Sequence, residues 1–246
     1  MLKNPRKTSG RQGEVSGRST DVSSPDRVVT SILGGIRSGR YVPGQKLIEA
    51  DLTHDLAVSR GPVREALKRL AAEGVVTLTR HRGAYIRALT RTEADETLVV
   101  LEVLCGLLAR LAADAVSQGD NADRMQEATR WLDAYHNGTP VQHNLSQRRH
   151  FYETLAIIGG NRQLSRVMVP LQIDILRLQI QPYLTPAARR AQMRGYAEVT
   201  RAVLAGNAAL AERSMRKHIR RTRARYARLP DDAFRASVLF DRSKNQ

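Results

Sequence analysis

Apolar side chains recur at every third or fourth position over most of this chain, which is the spacing of helices that bury one face. In the first third of the chain this pattern predicts three helices, followed by two short β-prone runs. A basic segment that contains glycine, residues 80–83, separates the two runs, so we expect them to form a hairpin. The predicted elements are helices over residues 26–38, 49–56 and 59–73 and strands over residues 75–79 and 84–88.

The helical spacing continues through the rest of the chain to about residue 229. Glycine and proline interrupt it where helices are expected to end. These segments predict an all-α bundle as a second domain. The predicted helices cover residues 92–117, 122–136, 143–159, 161–180, 186–205 and 207–228. We therefore divide this mainly α chain into an arm (1–25), a first domain (26–90), a helical domain (91–230) and a tail (231–246).

The charge balance indicates a polyanionic partner. Lys and Arg number 40 against 24 Asp and Glu, a formal net charge of +16. DNA is the commonest polyanion in a cytoplasm, although charge alone leaves RNA and anionic membranes open. Residues 1–25 are rich in Ser, Gly, Lys and Arg and nearly free of large apolar groups. We interpret them as a flexible basic arm, which either contacts DNA or is a solvated tail.

Cysteine usage and hydropathy favour a cytoplasmic protein with no membrane partner. Cys105 is the single cysteine, so an internal disulfide is excluded, and its apolar surroundings predict a core position. No stretch approaches the ~18 uninterrupted apolar residues of a spanning helix. The basic residues at the N-terminus are not followed by the apolar segment of a secretory signal.

The third predicted helix combines an apolar face with basic residues near its start. Ser59 can cap it, and Pro62 is tolerated in its first turn, where backbone N–H groups lack helical partners. Arg60, Arg64 and Lys68 follow one another at one-turn spacing off the apolar face. A short helix, a tight turn and such a helix suit a reader of the DNA major groove, where arginine bonds O6 and N7 of guanine together. A solvated face that meets only phosphates is the alternative.

A long, ungapped motif surrounds this helix. It comprises residues 39–49, Leu52, residues 58–70 (VSRGPVREALKRL) and the pair Glu73-Gly74. The motif resembles the N-terminal domain of the GntR superfamily of bacterial transcription regulators. The FadR-type subfamily, with its all-helical FCD effector domain, is the most similar, closely over residues 28–90 and more loosely over residues 91–228. The resemblance implies a winged helix-turn-helix that binds operator DNA.

The resemblance also implies which residues meet the operator, namely the start of the third helix and the wing tip, which reaches the minor groove. They are Ser59, Arg60, Gly61, Pro62 and Arg64 in the helix and His81, Arg82 and Gly83 in the wing. Many relatives have Thr where this chain has Gly61, so one hydroxyl contact is absent and more of the readout depends on the arginines. Because one short reading helix covers only half of a typical palindromic operator, we expect a homodimer.

Many members of this family hold a divalent metal in the helical domain, through an Asp-x-x-x-His pair on one helix and two later histidines. A carboxylate and an imidazole at this spacing share one helix face. The register set by Phe151, Leu155 and residues 160–161 places other residue types here. The four ligand positions hold Arg148, Tyr152, Tyr196 and His218. Since a guanidinium cannot ligate a metal, we expect neither a metal nor another cofactor.

The residues at these positions predict an anion site instead. Arg148 would place a permanent cation with two parallel donors where relatives have the metal. Tyr152, Tyr196 and His218 add polar groups, and Arg177 is a further candidate cation. We therefore predict that these five residues bind a small acidic metabolite, a carboxylate, without metal. The alternatives are that the cavity has been lost, and that Arg177 faces solvent.

Leu98 and the basic last helix give further predictions about the pocket and the surface of the helical domain. Relatives often have an arginine where this chain has Leu98, four residues before Glu102, which favours a more apolar pocket. The last helix is densely basic over residues 213–225. Such a run is typical of a solvated bundle exterior, and a second DNA surface is the alternative.

The sequence thus predicts an effector-controlled DNA-binding regulator, which we take to be a repressor, and not an enzyme. It contains no Gly-x-Ser-x-Gly elbow, phosphate-binding glycine loop, HExxH or CxxC pair. A metal-dependent regulator of the same family is the first alternative. A helical-bundle enzyme and a DNA-binding protein without an effector are the others, and the last would not need so large a helical bundle.

Overall fold

The structure, a computed structural model, describes residues 23–80, 82–133, 141–168 and 170–234. A winged helix-turn-helix domain is followed by an all-α domain, which confirms the predicted fold class. The elements are α1 (Ser24–Arg37), β1 (Lys46–Leu47), α2 (Glu49–Leu56), α3 (Arg60–Ala72), β2 (Val76–Thr79), β3 (Gly83–Ile86), α4 (Arg91–Ala115), α5 (Asn121–Asp133), α6 (Val141–Gly159), α7 (Arg162–Val167), α8 (Pro170–Ile180), α9 (Pro186–Leu204) and α10 (Ala208–Tyr226), with 3₁₀ helices at Gln181–Tyr183 and Asp231–Phe234.

Local chemistry determines where the helices of the first domain begin and end. Ser23 caps α1 by accepting a hydrogen bond from Asp26 N, and Pro25 lies in the first turn, where no N–H is needed. α1 therefore starts at Ser24, two residues earlier than predicted. α2 ends at Ala57, whose left-handed φ of 49° produces the tight turn into α3. The buried apolar residues of the three helices are Val28, Ile32, Ile36, Leu52, Val63, Ala66, Leu67 and Leu70.

The wing is a three-stranded antiparallel sheet with the strand order β1-β3-β2. The sequence predicted β2 and β3 but not β1, because a two-residue strand is too short to show alternation. Thr79 pairs with Gly83 at the tip, and Gly83 has a φ of 97°, which glycine adopts without steric cost. The pairing of Lys46 with Tyr85 attaches the wing to the segment before α2.

α4 is the central helix of the second domain and packs against α6, α9 and α10. It begins with a capping box, in which the Thr90 hydroxyl accepts from Glu93 N and the Glu93 carboxylate accepts from Thr90 N.

The buried face of α4 includes Cys105, as predicted. Burial raises the pKa of the Cys105 thiol to about 12, so the reactive thiolate is not formed at neutral pH. Among the described helices, none has the length and apolar character needed to cross a membrane.

The single helix predicted over residues 161–180 is wrong, because the structure has two helices there. Met168 ends α7 in an extended conformation with a ψ of 107°. Pro170 then opens α8. A proline has no N–H for the preceding turn, so it starts a new helix more readily than it continues one. α8 is consequently a short, separate rod, which packs against α6 and against α1 of the first domain.

The start of the predicted tail is also part of the fold. Residues 231–234 form a 3₁₀ helix in which Ala233 is fully buried. Arg91 Nη2 donates to Asp231 Oδ1 over 2.8 Å, and the Arg91 guanidinium lies 4.6 Å from the centroid of the Phe234 ring. These contacts offset the conformational entropy that residues 231–234 lose on becoming ordered. The sequence predicted a frayed tail because composition does not show such contacts. Residues 235–246 lie outside the described part of the chain.

Candidate functional site

The start of α3 presents an exposed polar surface. Ser59, Arg60, Gly61 and Arg64 are exposed and Pro62 is half-buried, while the apolar positions between them face the core. Ser59 occupies the N-cap position, but its side chain makes no capping hydrogen bond, contrary to our expectation. The N–H groups of the first turn are therefore left to an external acceptor such as a DNA phosphate.

A carboxylate of α2 contacts one of the two predicted reading arginines. Arg64 Nε lies 3.0 Å from Glu49 Oε2, and both side chains are substantially exposed. A surface ion pair of this kind adds little stability, so its main effect is to orient the guanidinium. The contact uses Nε, and the two terminal nitrogens of the guanidinium match O6 and N7 of a guanine. Arg69, further along α3, pairs instead with Asp26 of α1 over 2.7 Å.

The wing presents cations at its tip. Arg82 and Gly83 are exposed, as is Arg80, whereas His81 lies outside the described residues. The Tyr85 hydroxyl donates to the Arg82 carbonyl oxygen over 3.1 Å and supports the turn. An exposed, basic hairpin tip has the character needed to approach DNA phosphates.

A small cavity lies among α4, α6, α8, α9 and α10, with a volume of about 30 Å³; we call it the inner cavity. Four of the five predicted effector residues line it, namely Tyr152, Arg177, Tyr196 and His218. The Tyr196 ring centroid lies 4.4 Å from that of His218 and 6.1 Å from that of Tyr152. Leu98 adds an apolar wall.

Arg148, the fifth predicted residue, lies behind the inner cavity and is 1% exposed. Its Nη2 donates to Gln192 Oε1 over 2.5 Å, and Gln192 itself lines the cavity. Nε and Nη1 of Arg148 have no hydrogen-bond partner within the described part of the chain. A buried cation with two unsatisfied nitrogens is costly unless an anion compensates it. The Gln192 carboxamide therefore lies between the cavity and a guanidinium that has no anionic partner among the described residues.

Arg177 is largely removed from solvent, so the alternative that it faces solvent is wrong. Its side chain is 12% exposed and its guanidinium lies 5.1 Å from the centroid of the Tyr152 ring. Its Nη1 lies 3.5 Å from Asp174 Oδ1. Together with Tyr152 and Ile173, Arg177 also lines a second cavity of about 140 Å³, which we call the outer cavity. The other lining residues of the outer cavity are Arg149, Glu153, Ala156, Ser165, Met168 and Asp174.

The four side chains that the resemblance equates with metal ligands do not fit a metal ion. Arg148 is a permanent cation that repels a divalent ion and offers no lone pair. Burial raises the pKa of Tyr152 well above its usual value, which keeps the phenol protonated. Over the described ranges, no three His, Cys, Asp or Glu side chains converge in a metal-binding group. His218 is thus a single imidazole rather than part of a ligand set.

His218 is tightly packed and uncharged. A Cβ at position 195 would overlap the imidazole, so α9 can approach α10 this closely only because residue 195 is glycine. Burial, assisted by the charges of Arg148 and Arg225, lowers the pKa of His218 to about 3. At neutral pH the ring therefore carries one proton and can both donate and accept a hydrogen bond.

This low pKa predicts that acid destabilises the protein through His218. The unfolded chain binds a proton at this residue near its ordinary pKa of 6.5, whereas the folded protein does so only near a pKa of about 3. Stability is therefore lost as the pH falls below 6.5, by on the order of 2 kcal/mol between pH 7 and pH 5. Urea unfolding of the parent and of His218→Gln measures the difference, since the other histidines are common to both. An equal pH dependence of the two proteins would contradict the prediction.

The basic last helix is used in packing within the bundle. Its cations pair with acidic residues of α4, α9 and α10 itself. The pairs are Arg223–Asp95, Arg220–Glu102, Lys217–Glu198, Arg221–Glu198 and Arg216–Glu212. This pairing favours the interpretation of α10 as a solvated outer helix over that of a second DNA surface.

Sequence reasoning missed two polar residues beside the cavities. Gln192 lies one turn before Tyr196 on α9, and Asp174 lies one turn before Arg177 on α8. Both are 5% exposed or less. Helical spacing from the predicted residues was a usable signal for both. Residue type points the other way, since Gln and Asp are usually on the surface.

Two family models match the chain. The model described as bacterial regulatory proteins, gntR family, matches residues 25–86, and the FCD domain model matches residues 96–221, which is about half of the chain. The first match covers the winged helix-turn-helix and the second covers most of the helical domain.

Individual proteins show the same relationship. The chain is 27% identical over 133 residues to YdhC, an uncharacterized HTH-type transcriptional regulator of Bacillus subtilis; this covers 54% of the chain and 59% of that relative, less than two thirds of its length. It is 24% identical over 208 residues to a probable D-xylose utilization operon transcriptional repressor of Paenarthrobacter nicotinovorans, covering 83% of the chain and 89% of that protein. The solved structure of E. coli McbR/YncC has the same fold, with a TM-score of 0.71 and 18% identity over 84% of this chain and 98% of that one. The chain belongs to the gntR family of bacterial regulatory proteins and carries a C-terminal FCD domain.

Proposed function

We propose that this protein is a transcriptional repressor that binds operator DNA and is controlled by a small acidic metabolite, held in the helical domain without metal. The main support for DNA binding comes from the start of α3. Arg60 and Arg64 are exposed there, and the helix N-terminus beside them has no side-chain cap. The major groove admits one helix, whose first residues then reach the base edges. The name of the Paenarthrobacter relative supports repression as the mode of action.

The test of this function is selection of binding sites from a random duplex library, followed by competition. We expect enrichment of a palindromic sequence that resists an excess of scrambled duplex, because base contacts add specificity to phosphate contacts. Equal competition by the scrambled duplex would overturn the proposal in favour of an effector-independent, non-specific DNA-binding protein.

The effector part of the proposal depends on Arg148. Its Nε and Nη1 lack partners in the described part of the chain, and Gln192 Oε1 already shows where an acceptor oxygen binds its Nη2. A ligand carboxylate that displaces the Gln192 carboxamide would bind the guanidinium through two oxygens. Tyr196 and the neutral imidazole of His218 lie on the same cavity and supply further hydrogen bonds.

The two cavities indicate the class of acid. The inner cavity, at about 30 Å³, has room for little more than a carboxylate group. The outer cavity, at about 140 Å³, is close in volume to cavities of roughly 150 Å³ that hold benzene, and Ala156, Met168 and Ile173 line it. The ligand that suits both is a monocarboxylate with an apolar body about the size of one ring.

We further propose that the protein is a homodimer paired through α4. Four apolar side chains lie within an arc of about 100° on this helix, at 38–56% exposure, which is unusual for a surface of such a polar chain. They are Val99, Val100, Val103 and Leu107. An apolar groove of about 290 Å³ continues the surface to Val167 of α7, which is 60% exposed. A second copy with the same surface can cover it by two-fold symmetry, which also matches a palindromic operator.

Val103→Asp tests this interface. A carboxylate in the centre of a paired apolar surface would be desolvated without a partner, so we expect sedimentation velocity to show a shift from twice the 27.4 kDa chain mass to the single mass. Leu78→Asp, at a similarly exposed apolar position in the wing, is the matched control and should leave the dimer intact. A Val103→Asp protein that remains dimeric would place the interface elsewhere.

A further inference from the structure

One buried side chain joins three parts of the molecule that are far apart in sequence. Gln179, near the end of α8, is 0% exposed. Its Nε2 donates to the carbonyl oxygens of Leu89 over 2.8 Å and of Ala233 over 2.9 Å, and its Oε1 accepts from Leu89 N over 2.9 Å. A single carboxamide thus hydrogen-bonds α8 both to Leu89 and to the 3₁₀ helix that contains Ala233.

Leu89 belongs to the linker, residues 87–90, between the wing and α4. The linker is attached to both domains. Arg87 N donates to Val75 O over 2.9 Å on the side of the DNA-binding domain. The Arg87 guanidinium pairs with Glu93 in the first turn of α4 on the other side. A displacement of Leu89 therefore changes the position of the winged domain relative to the helical domain.

α8 connects the same carboxamide to the cavities. Arg177, two residues before Gln179, lines both cavities, and Asp174 pairs with it one turn earlier. The helix has 11 residues, begins after the break at Met168 and is followed at once by a 3₁₀ turn. A short rod between two breaks moves as a unit, so a shift at Arg177 is carried to Gln179.

We propose that Gln179 is the positioning residue that couples the effector cavity to the reading helix, an inference that rests on the proposed function. A ligand acid that draws Arg177 moves α8, and the Gln179 carboxamide transmits this movement to Leu89 and so to the orientation of the winged domain. Binding free energies are reciprocal, so operator DNA must act on the cavity as strongly as the ligand acts on DNA binding. Operator duplex can therefore serve as the probe.

The experiment compares Gln179→Leu with Gln181→Leu in the full chain. Gln181 is equally buried, and its Oε1 has no partner among the described residues, so its replacement keeps the linker contact. We expect the duplex to slow hydrogen exchange in α8 and α9 roughly fivefold or more in the parent and in Gln181→Leu, and not at all in Gln179→Leu. Protection that persists in Gln179→Leu overturns the inference, as does its absence in a parent that binds the duplex.

Calorimetry without DNA tests the contact between α8 and the linker independently of whether the protein binds operator DNA. Loss of the contact between α8 and the linker should split the unfolding of Gln179→Leu into two transitions, one for each domain, while Gln181→Leu unfolds like the parent. Circular dichroism of both variants at room temperature shows whether each is folded. If the parent binds no duplex, the proposed function fails; if unfolding of Gln179→Leu remains that of the parent, the coupling role of Gln179 fails.

Discussion

Replacing Arg60 or Arg64 with alanine should weaken binding to the selected operator by roughly 1–3 kcal/mol, or about 5–150-fold, and should relax the base preference at one position of each half-site. Both side chains are exposed at the start of α3, and Arg64 is oriented by Glu49. The loss arises because a guanine left without its arginine has two unsatisfied acceptors at a desolvated interface. Fluorescence anisotropy against the operator and single-base variants measures both effects.

Two variants of the same helix serve as controls. Arg69→Ala removes a cation that pairs with Asp26 away from the helix start, so operator affinity should remain that of the parent. Lys68→Ala should weaken all duplexes to a similar degree and lower the salt dependence of binding by about one ion, as expected for a phosphate contact. If Arg64→Ala behaves like Arg69→Ala, the reading surface lies elsewhere on the domain.

Arg148→Met should raise the melting temperature of the ligand-free protein and abolish its response to acids. The guanidinium is 1% exposed with two unpartnered nitrogens in the described structure, and an apolar side chain of similar volume removes that desolvation cost. Even replacing a buried ion pair by apolar side chains of similar volume is often neutral or stabilising by up to about 4 kcal/mol, and Arg148 lacks an ion-pair partner among the described residues. For a chain of this size each kcal/mol corresponds to ~2–4 °C in Tm. If Arg148 served only to pack the helices together, Arg148→Met would instead lower the melting temperature.

Thermal shift assays with benzoate, phenylacetate and succinate, each with and without EDTA, complete this test. A suitable monocarboxylate at about 100 times its Kd should stabilise the parent by ~2.7 kcal/mol regardless of chelator, and should leave Arg148→Met unchanged. Gln192→Ala, which frees the remaining Arg148 nitrogen, should melt at a lower temperature than the parent without ligand and respond at least as strongly to the acid. Stoichiometric zinc or nickel in the purified protein, lost together with the acid response on chelation, would refute metal-free binding.

The sequence predicted the DNA-binding domain well because its information is local. Helix α3 combines apolar spacing, a proline in the first turn and a glycine after its end within a continuous segment. Each of these signals acts over one or two helical turns. The exposed arginines follow directly from the register of that helix. The elements that were missed or misplaced, β1 and the break between α7 and α8, depend on a pairing and on a single extended residue that produce no periodicity.

In the helical domain the sequence by itself determined the helical class and, through the family register, which residues surround the inner cavity. Only the tertiary structure decided which of these residues are buried and which have hydrogen-bond partners. Arg148 and Gln192, 44 residues apart, meet in a buried contact, and Gln179 reaches Leu89 across 90 residues. Composition assigns such polar side chains to the surface, where most of them are found. Whether one is buried, satisfied or left without a partner depends on which distant helices pack around it, and neither spacing nor residue type records that choice.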